Sequence, residues 1–246
     1  QLDGDAVVEH GGEPWPLRKL LARAVLPEGG STQDLAPREL AARLSLLPHR
    51  EYSIASIPED GAIHLLVRRM QRPDGAPGLG SGWLTTDAAI GAEIALRIRA
   101  NPNFHAPEDA RPLVLVGNGT GIAGLRALLR QRIAAGHPRN WLLFGERSAA
   151  HDFHYRDEIL PWRDEGAIER LDLAFSRDQA VRTYVQHRLA AAADLLRRWI
   201  AEGAAIHVCG SLEGMAPGVH AVLVDVLGAA TVESLQAEGR YRRDVY

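Results

Sequence analysis

Several short segments carry residue types that could bind phosphate or take part in catalysis, and the first spans residues 50–56. It places a guanidinium (Arg50), an aromatic ring (Tyr52) and a hydroxyl (Ser53) close together. In an extended strand Arg50 and Tyr52 share one face and Ser53 lies on the other. A planar, forked guanidinium suits a diphosphate. An arginine and a tyrosine on one strand face are more often an exposed pair, so the pattern alone leaves both interpretations open.

Two glycine-rich segments could bind anions through their backbone. Residues 78–84 form a turn that ends in a short helical start, and successive N–H groups in such a turn make an anion cradle. In residues 112–124 a buried strand runs into a Gly-x-Gly-x-Gly turn that opens a helix, the arrangement that meets a diphosphate. A bare glycine motif is weakly specific, so a flexible loop is the alternative for each.

Residues 176–186 bear on which dinucleotide such a turn would take. A 2'-phosphate requires cationic and hydroxyl donors, whereas NAD sites hold the ribose with a carboxylate. Ser176 and Arg177 supply those donors, Arg182 is a further cation, and no ribose-binding carboxylate is evident. For any one of them the alternative is an N-cap serine before an exposed basic helix.

The C-terminal part holds two further candidates. Cys209 and Gly210 end a predicted strand, and doubly wound sheets bind ligands at that edge, although a lone strand cysteine is usually a buried hydrophobe. Asp244 and Tyr246 place a carboxylate two residues before a terminal ring, a pattern that otherwise indicates a frayed tail.

Alternating strands and helices must position the later segments. Apolar strands are predicted at residues 113–116, 141–145, 168–175 and 205–209. Helices are predicted at residues 122–135, 155–162 and 218–226, with two more before the last strand. This alternation predicts an α/β doubly wound parallel sheet with helices on both faces.

The region before residue 112 has a different pattern. Period-two alternation predicts strands of a barrel or sandwich at residues 52–57, 63–69 and 93–99. Residues 14–25 and 37–46 are predicted helices on either side of a turn at 27–31.

The string Arg-x-Tyr-Ser-Ile-Ala-Ser at residues 50–56 resembles the flavin motif of the ferredoxin-NADP reductase superfamily, in its diflavin-reductase form. The resemblance implies that Arg50 pairs with the FAD pyrophosphate, that Tyr52 packs on the flavin and that Ser53 lies by N5, the atom that accepts hydride. A hydroxyl there can stabilise developing negative charge. Residues 78–84 resemble the second FAD pyrophosphate loop of the family, which implies contacts from Gly80, Ser81 and Gly82.

Residues 112–124 resemble the family's NADP pyrophosphate turn, which implies contacts from Gly117, Gly119 and Thr120. Asn118 and Gly124 stand where the family usually has prolines, so a looser turn is expected. For residues 176–186 the resemblance implies a 2'-phosphate site, adenine stacking and a ribose or adenine contact. The residues concerned are Ser176, Arg177 and Arg182 for the phosphate, Tyr184 for stacking and Gln186 for the last contact.

The ending Tyr-x-Arg-Asp-Val-Tyr resembles that of the sulfite reductase flavoprotein branch of this family. It implies that Tyr246 stacks on the flavin and must shift for nicotinamide to enter. It also implies that Asp244 works with Ser53 and with Cys209, whose thiol would lie beside nicotinamide C4. Ser211 and Gly218 occupy positions where the family has other residues, and neither is assigned a role.

The resemblance implies three segments: a remnant of a connecting helical segment at 1–48, a FAD-binding antiparallel barrel portion at 49–108, and an NADP-binding domain at 109–246. The barrel portion is expected to lack its opening strands. The implied function is an NADPH-dependent flavoprotein reductase that passes hydride to FAD and electrons to a flavodoxin-like FMN domain, a haemoprotein or another acceptor. The alternative is a non-catalytic or regulatory binding module that retains the fold.

Composition excludes several classes of protein. With 28 basic and 31 acidic residues among 246, and no basic block, the chain lacks an electrostatic footprint for nucleic acid. A single cysteine excludes an intramolecular disulfide framework and a multi-cysteine zinc site, which predicts a reducing, cytoplasmic location. Its apolar runs fall short of the roughly 20 residues of a membrane span, so membrane attachment is expected only through parts outside this chain.

Overall fold

A computed structural model describes residues 3–25 and 35–246 of the chain. The chain forms two compact units, Gln1–Glu51 and Tyr52–Tyr246. The predicted functional division at residues 48/49 and 108/109 stays a prediction, and everything from residue 52 onward belongs to the second unit.

The N-terminal unit contains two short helices and two small antiparallel pairings. In chain order its elements are β1 (Val7–His10), β2 (Glu13–Pro16), α1 (Leu17–Leu21), β3 (Ala24–Val25), α2 (Pro37–Arg43) and β4 (Ser45–Leu46). Strand β1 pairs with β2, and β3 pairs with β4. The buried core of the unit is formed by Val8, Leu17, Leu20, Leu40, Ala41 and Leu44.

The two helices predicted in this unit are shorter than expected. Glu13 and Trp15 each precede a proline, which biases them toward extended backbone, so β2 forms and α1 begins only after it. Helix α2 ends at Arg43 because Leu44 adopts extended backbone with ψ at 142°, and the next residues pair with β3. The predicted turn at 27–31 lies outside the described residues.

Residues 52–112 form the irregular first part of the second unit. The strands predicted at 52–57, 63–69 and 93–99 are not formed, and the pairing among them is limited to an isolated antiparallel bridge between Ile54 and Leu65. A strand requires a neighbour for its backbone hydrogen bonds, and the apolar face at 93–99 is exposed, with Leu96 57% accessible. The regular elements here are a 3₁₀ turn (Pro58–Asp60), helix α3 (Leu79–Gly82) and a π-helical turn (Trp83–Asp87).

The rest of the second unit is a five-stranded parallel sheet, which confirms the predicted α/β fold. Its strands are β5 (Leu113–Asn118), β6 (Asn140–Glu146), β7 (Arg170–Phe175), β8 (Ala205–Gly210) and β9 (Tyr241–Val245). Their spatial order is β7-β6-β5-β8-β9. The fifth strand, β9, was not predicted, because its alternation of charged and aromatic residues lacks the apolar run of a buried strand.

Helices cover both faces of this sheet. A 3₁₀ turn (Gly119–Gly121) leads into α4 (Ile122–Ala134), followed by α5 (Ala149–Asp152), α6 (Arg156–Asp164), α7 (Val185–Ala191), α8 (Ala193–Ala201), α9 (Met215–Leu227) and α10 (Ala229–Ala237). Helices α4 and α6 share one core with Leu113 and Leu115, whereas α7 to α10 share the other with Val114 and Val116. Alternate side chains of each strand therefore point into different cores.

Within residues 3–25 and 35–246, no single helix is long and apolar enough to cross a membrane. Helices α9 and α10 are long and apolar enough only when taken together, and they are bent by 114° at the break between them.

Candidate active site at the carboxyl edge of the sheet

Because all five strands are parallel, their carboxyl ends lie at one edge of the sheet. The register places Gly117 of β5 beside Cys209 of β8, and Cys209 beside Asp244 of β9. Strand β5 has β6 on one side and β8 on the other, so the connections that follow β5 and β8 diverge and open a crevice. The glycine turn after β5 and the end of β8 flank this crevice.

Ser53, Cys209 and Asp244 meet at one carboxylate, although 191 residues separate the first from the last. The Ser53 hydroxyl donates to Asp244 Oδ2 at 3.4 Å, and the Cys209 thiol donates to the same oxygen at 3.9 Å. The other oxygen, Oδ1, accepts from Asn101 Nδ2 at 3.2 Å. Asn101 was not among the predicted site residues, because it lies in an irregular segment with no motif of its own.

Burial sets the protonation of the groups around this carboxylate. Cys209 is fully buried, and burial, then the neighbouring Asp244 charge, raises the pKa of its thiol far above the ordinary value. The group therefore stays a neutral thiol, a weak hydrogen-bond donor rather than a nucleophile. Burial also raises the pKa of the Tyr246 phenol, which keeps that hydroxyl protonated.

The C-terminal residues are held in the sheet rather than frayed. Strand β9 pairs with β8, and the Tyr246 amide donates to the Gly210 carbonyl at 3.0 Å. The Tyr246 hydroxyl is hydrogen-bonded to Thr120 Oγ1 over 3.2 Å, across the mouth of the crevice. Tyr246 is nevertheless 58% exposed, so part of the residue is accessible to a ligand.

The glycine turn after β5 approaches β8 closely. A Cβ on Gly121 would overlap the Cys209 carbonyl, and Gly119 has φ at +58°, a backbone conformation that favours glycine. Such positions leave the amides of the turn open toward the crevice, where an anion can bind. The three residues predicted to contact a diphosphate, Gly117, Gly119 and Thr120, thus lie together at this edge.

The two departures from the family's prolines lie close to the ends of β5 and β8. Asn118 Oδ1 accepts from the Ser211 amide at 2.9 Å, so its side chain ties the ends of β5 and β8 together rather than loosening the turn. A Cβ on Gly124 would lie 3.4 Å from the Cys209 sulfur and 3.7 Å from the Ser53 Cβ. Gly124 thus lies next to both site residues, at distances where an added Cβ would make ordinary van der Waals contact.

Strand β6 ends at Glu146, a carboxylate that was not predicted as a site residue. Glu146 lies beside Gly119, near the position where dinucleotide folds use an acid to hold a ribose. Its side chain is 5% exposed, forms an ion pair with Arg68, and accepts from the Arg147 amide at 2.9 Å. The ion pair offsets the negative charge that would otherwise repel a phosphate.

The predicted 2'-phosphate segment begins where β7 ends. The Ser176 amide donates to the Glu146 carbonyl at 2.9 Å and the Arg177 amide to the Arg147 carbonyl at 2.8 Å, which fixes the backbone. Arg177 and Arg182 are exposed, and neither guanidinium has a partner among the described residues. Two unpaired cations and a hydroxyl suit a phosphate.

The adenine side of this segment carries Tyr184 and Gln186. Tyr184 is 41% exposed, and its ring lies 5.6 Å from that of His187. In the described part of the chain the buried Oε1 of Gln186 has no hydrogen-bond partner. A Cβ on Gly218 would lie 3.1 Å from Gln186 Nε2, so the glutamine fills the space that a side chain at 218 would need.

The residues of the predicted flavin motifs are distributed differently. Arg50 belongs to the N-terminal unit, where its Nη1 donates to the His49 carbonyl at 3.3 Å, and Tyr52 is half-buried in the second unit. Gly80, Ser81 and Gly82 form α3, as the helical start of that loop predicted. Ser81 Oγ accepts from the Met70 amide at 3.0 Å, which leaves its hydrogen free to be donated.

Comparisons with known proteins agree with these features. Residues 115–221 match the oxidoreductase NAD-binding domain. The chain is 38% identical over 229 residues to the flavoprotein alpha-component of NADPH sulfite reductase from Vibrio cholerae, which covers 86% of this chain and 37% of the relative. The component from Yersinia enterocolitica is 39% identical over 230 residues, covering 87% and 38%, respectively. The resemblance predicted from the motifs is confirmed.

A third relative, from Mannheimia succiniciproducens, is the same component and is 35% identical over 229 residues, covering 86% of this chain and 38% of the relative. The chain therefore spans 37–38% of the length of these curated relatives.

Proposed function

Since the chain contains an oxidoreductase NAD-binding domain and is a relative of NADPH sulfite reductase flavoproteins, we propose that it is the NADPH-binding part of a flavoprotein reductase. It would transfer hydride from NADPH to FAD. The observation that carries this proposal is the meeting of Ser53, Cys209 and Asp244 on one carboxylate at the crevice of a doubly wound sheet.

The carboxyl edge of the sheet would bind NADPH. The amides of the glycine turn receive the diphosphate, and the unpaired guanidiniums of Arg177 and Arg182, with the Ser176 hydroxyl, receive the 2'-phosphate. The exposed ring of Tyr184 offers a stacking face for adenine. The unpartnered Oε1 of Gln186 supplies an acceptor for a ribose hydroxyl or the adenine amino group.

FAD, when bound, supplies the hydride acceptor at its N5 atom. Ser53 would present its hydroxyl to that region, and Asp244, fixed through both carboxylate oxygens, would orient the hydroxyl. The neutral thiol of Cys209 would form an uncharged wall against the nicotinamide. Tyr246 would cover the flavin and move aside when the nicotinamide enters.

The flavin site is proposed from the motif residues. The proposed FAD contacts are Arg50, Tyr52 and the α3 residues Gly80, Ser81 and Gly82, and residues 49–108 are the proposed contribution to an antiparallel FAD barrel. The free hydrogen of the Ser81 hydroxyl and the exposed Arg50 guanidinium suit a diphosphate. Electrons would then pass to a flavodoxin-like FMN domain or a haemoprotein in the cytoplasm.

The test is the absorption spectrum of the full-length, FAD-loaded protein under anaerobic conditions, before and after NADPH. NADPH should bleach the flavin band, and NADH at the same concentration should bleach it far more slowly. Retention of flavin with no bleaching by either nucleotide would contradict the proposed reaction. That result would favour a non-catalytic or regulatory binding module that retains the fold.

A further inference from the structure

Arg126 is a buried cation of the second unit that the proposed chemistry does not use. It lies on α4 and is 4% exposed. Its guanidinium binds both oxygens of Glu158, with Nη2 to Oε2 at 2.7 Å and Nε to Oε1 at 3.1 Å. The remaining nitrogen, Nη1, donates to the Ala55 carbonyl at 2.5 Å. A buried charge is tolerated only with such complete pairing, so these partners fix its position.

The Tyr155 ring covers the same guanidinium. Its centroid lies 4.9 Å from the Arg126 Cζ, a cation-π distance. Tyr155 has φ at +56°, and among the described residues it is the only non-glycine residue with positive φ. Such a conformation persists only where surrounding contacts determine it. The start of α6 is therefore built around Arg126 and Glu158.

The Ala55 carbonyl connects this ion pair to the candidate active site. Ala55 lies two residues after Ser53, so a bond to its carbonyl fixes the chain close to the serine. On α4, Gly124 lies next to the Ser53 side chain, and Arg126 Nη1 donates to the Ala55 carbonyl. Helix α4 thus lies against the segment at Ser53 and is hydrogen-bonded to it at Ala55.

This segment has little else to hold it. In the described part of the chain, residues 52–57 form no strand. They are joined to residues 63–69 by the Ile54–Leu65 bridge, the bond from the Ala55 amide to the His64 carbonyl and the bond from the His64 amide to Ser56 Oγ. A second ion pair, between Arg130 Nη2 and Asp60 Oδ1 at 2.5 Å, attaches the chain farther along. Of these two arginines, Arg126 bonds nearer to Ser53 along the chain.

We propose that Arg126, fixed by Glu158, is a positioning residue that holds the Ser53 hydroxyl against Asp244 and closes one wall of the Cys209 site. The part that concerns hydride transfer rests on the proposed function. The part that concerns the closed wall does not, because it depends only on contacts within this chain.

Cys209 supplies a readout independent of NADPH and FAD. It is the single cysteine of the sequence, it is fully buried, and Ser53 and Phe104 line the same space beside Gly124. If the Ser53 segment lifts, the thiol becomes accessible. The rate of its alkylation by N-ethylmaleimide should therefore rise about tenfold or more in Arg126→Met, the factor expected for losing one charge-assisted hydrogen bond.

Two further variants and a control make the measurement specific. Arg126→Lys keeps the positive charge but loses the planar fork that binds Glu158 and Ala55 together, so it should give a smaller rise. Glu158→Gln retains the bond to Ala55 and should raise the rate by about threefold, since a neutral acceptor binds roughly half as strongly. Arg163→Met removes an arginine of α6 that pairs with the adjacent Asp164, and it should leave the rate unchanged. Circular dichroism identifies any variant that fails to fold. If Arg126→Met does not fold, the alkylation rate of Glu158→Gln is the deciding measurement.

The second readout is stopped-flow flavin reduction by the FAD-loaded protein. Arg126→Met should slow reduction by about ten- to hundredfold, the cost of a misplaced reacting group, and Arg126→Lys should restore part of the rate. The dissociation constant of NADP⁺ should change less than about twofold, because the phosphate contacts are untouched.

Two outcomes would overturn the proposal. One is an unchanged alkylation rate in folded Arg126→Met and Glu158→Gln. The other is an equal rise in Arg163→Met, which would indicate general opening rather than loss of a specific contact. If alkylation follows the expected order but wild-type protein does not reduce flavin, the proposed function fails and the positioning of Ser53 stands.

Discussion

Truncating Arg177 to alanine is expected to weaken the binding of NADPH and leave the binding of NADH unchanged. The side chain is exposed and has no partner in the described part of the chain, so no internal contact is lost. Its amide still donates to the Arg147 carbonyl at 2.8 Å, which keeps the loop anchored. The free energy of unfolding should therefore change by less than about 0.5 kcal/mol.

The magnitude follows from the single contact that is removed. A charge-assisted hydrogen bond contributes about 1.5–3 kcal/mol, which corresponds to a rise in Kd of roughly 10- to 150-fold. Ser176 and Arg182 remain to bind the phosphate, and the site is exposed to solvent, so we expect a value near the lower end, about tenfold. NADH lacks the phosphate, and its Kd should change by less than about twofold.

Isothermal titration of NADP⁺ and NAD⁺ into wild-type protein, Arg177→Ala and Arg198→Ala measures this difference. Arg198 is an exposed arginine on α8 and serves as the matched control for loss of one positive charge. Raising the salt concentration should reduce the difference in the Kd of NADP⁺ between wild type and Arg177→Ala. Equal losses for both nucleotides, or equal affinity of wild type for both, would refute the phosphate-site assignment.

Three other predictions concern the site and its support. Cys209→Ala and Asp244→Asn should slow stopped-flow flavin reduction while flavin content stays normal; loss of flavin would instead make them structural. Deleting Tyr246 should tighten NADP⁺ binding and raise the NADH to NADPH rate ratio, because the aromatic stack, about 0.5–1.5 kcal/mol, no longer opposes nicotinamide entry; an unchanged ratio would contradict the stacking role. Burial lowers the pKa of His207 to about 4, and its Nε2 is hydrogen-bonded to the His105 carbonyl over 2.8 Å. Between pH 6.5 and 4 the unfolded chain binds a proton that the folded chain does not. The free energy of unfolding should therefore decrease by up to about 3 kcal/mol as the pH is lowered from 6.5 to 4. Urea denaturation at several pH values should show this slope, and His207→Gln should reduce it; an equal slope in that variant would assign it to other groups.

The parallel sheet was predictable because its signal is local. Short apolar strands such as residues 113–116, separated by amphipathic helices, specify elements from neighbouring residues alone. Strands in residues 52–99 failed as predictions because a strand is completed by its neighbours, and alternation at 93–99 carries no information about whether a partner is present. The first N-terminal helix was predicted too long for another reason, because Glu13 and Trp15 precede prolines and are biased toward extended backbone.

Site residues were predictable where they belong to a sequence motif. They were not predictable where their role depends on contacts with residues that are distant in the sequence. Ser53, Cys209 and Asp244 were found through three separate motifs, and the structure brings them together at one carboxylate. Asn101 and Arg126 have no motif, and their roles arise from partners 143 and 71 residues away. A buried arginine on an apolar helix face was the available signal for Arg126, since such a residue requires a specific partner.

The central claim is hydride transfer from NADPH to flavin beside Ser53, Cys209 and Asp244. A single-turnover measurement tests it most directly. FAD-loaded, full-length protein is mixed anaerobically with NADPH that carries deuterium at the transferred C4 position, and the flavin absorbance is followed. We predict bleaching by one equivalent of NADPH, slowed by deuterium, with the slowest rate in Asp244→Asn. Flavin that remains oxidised in wild-type protein with NADPH bound, or that is reduced equally fast in Asp244→Asn, would contradict the account.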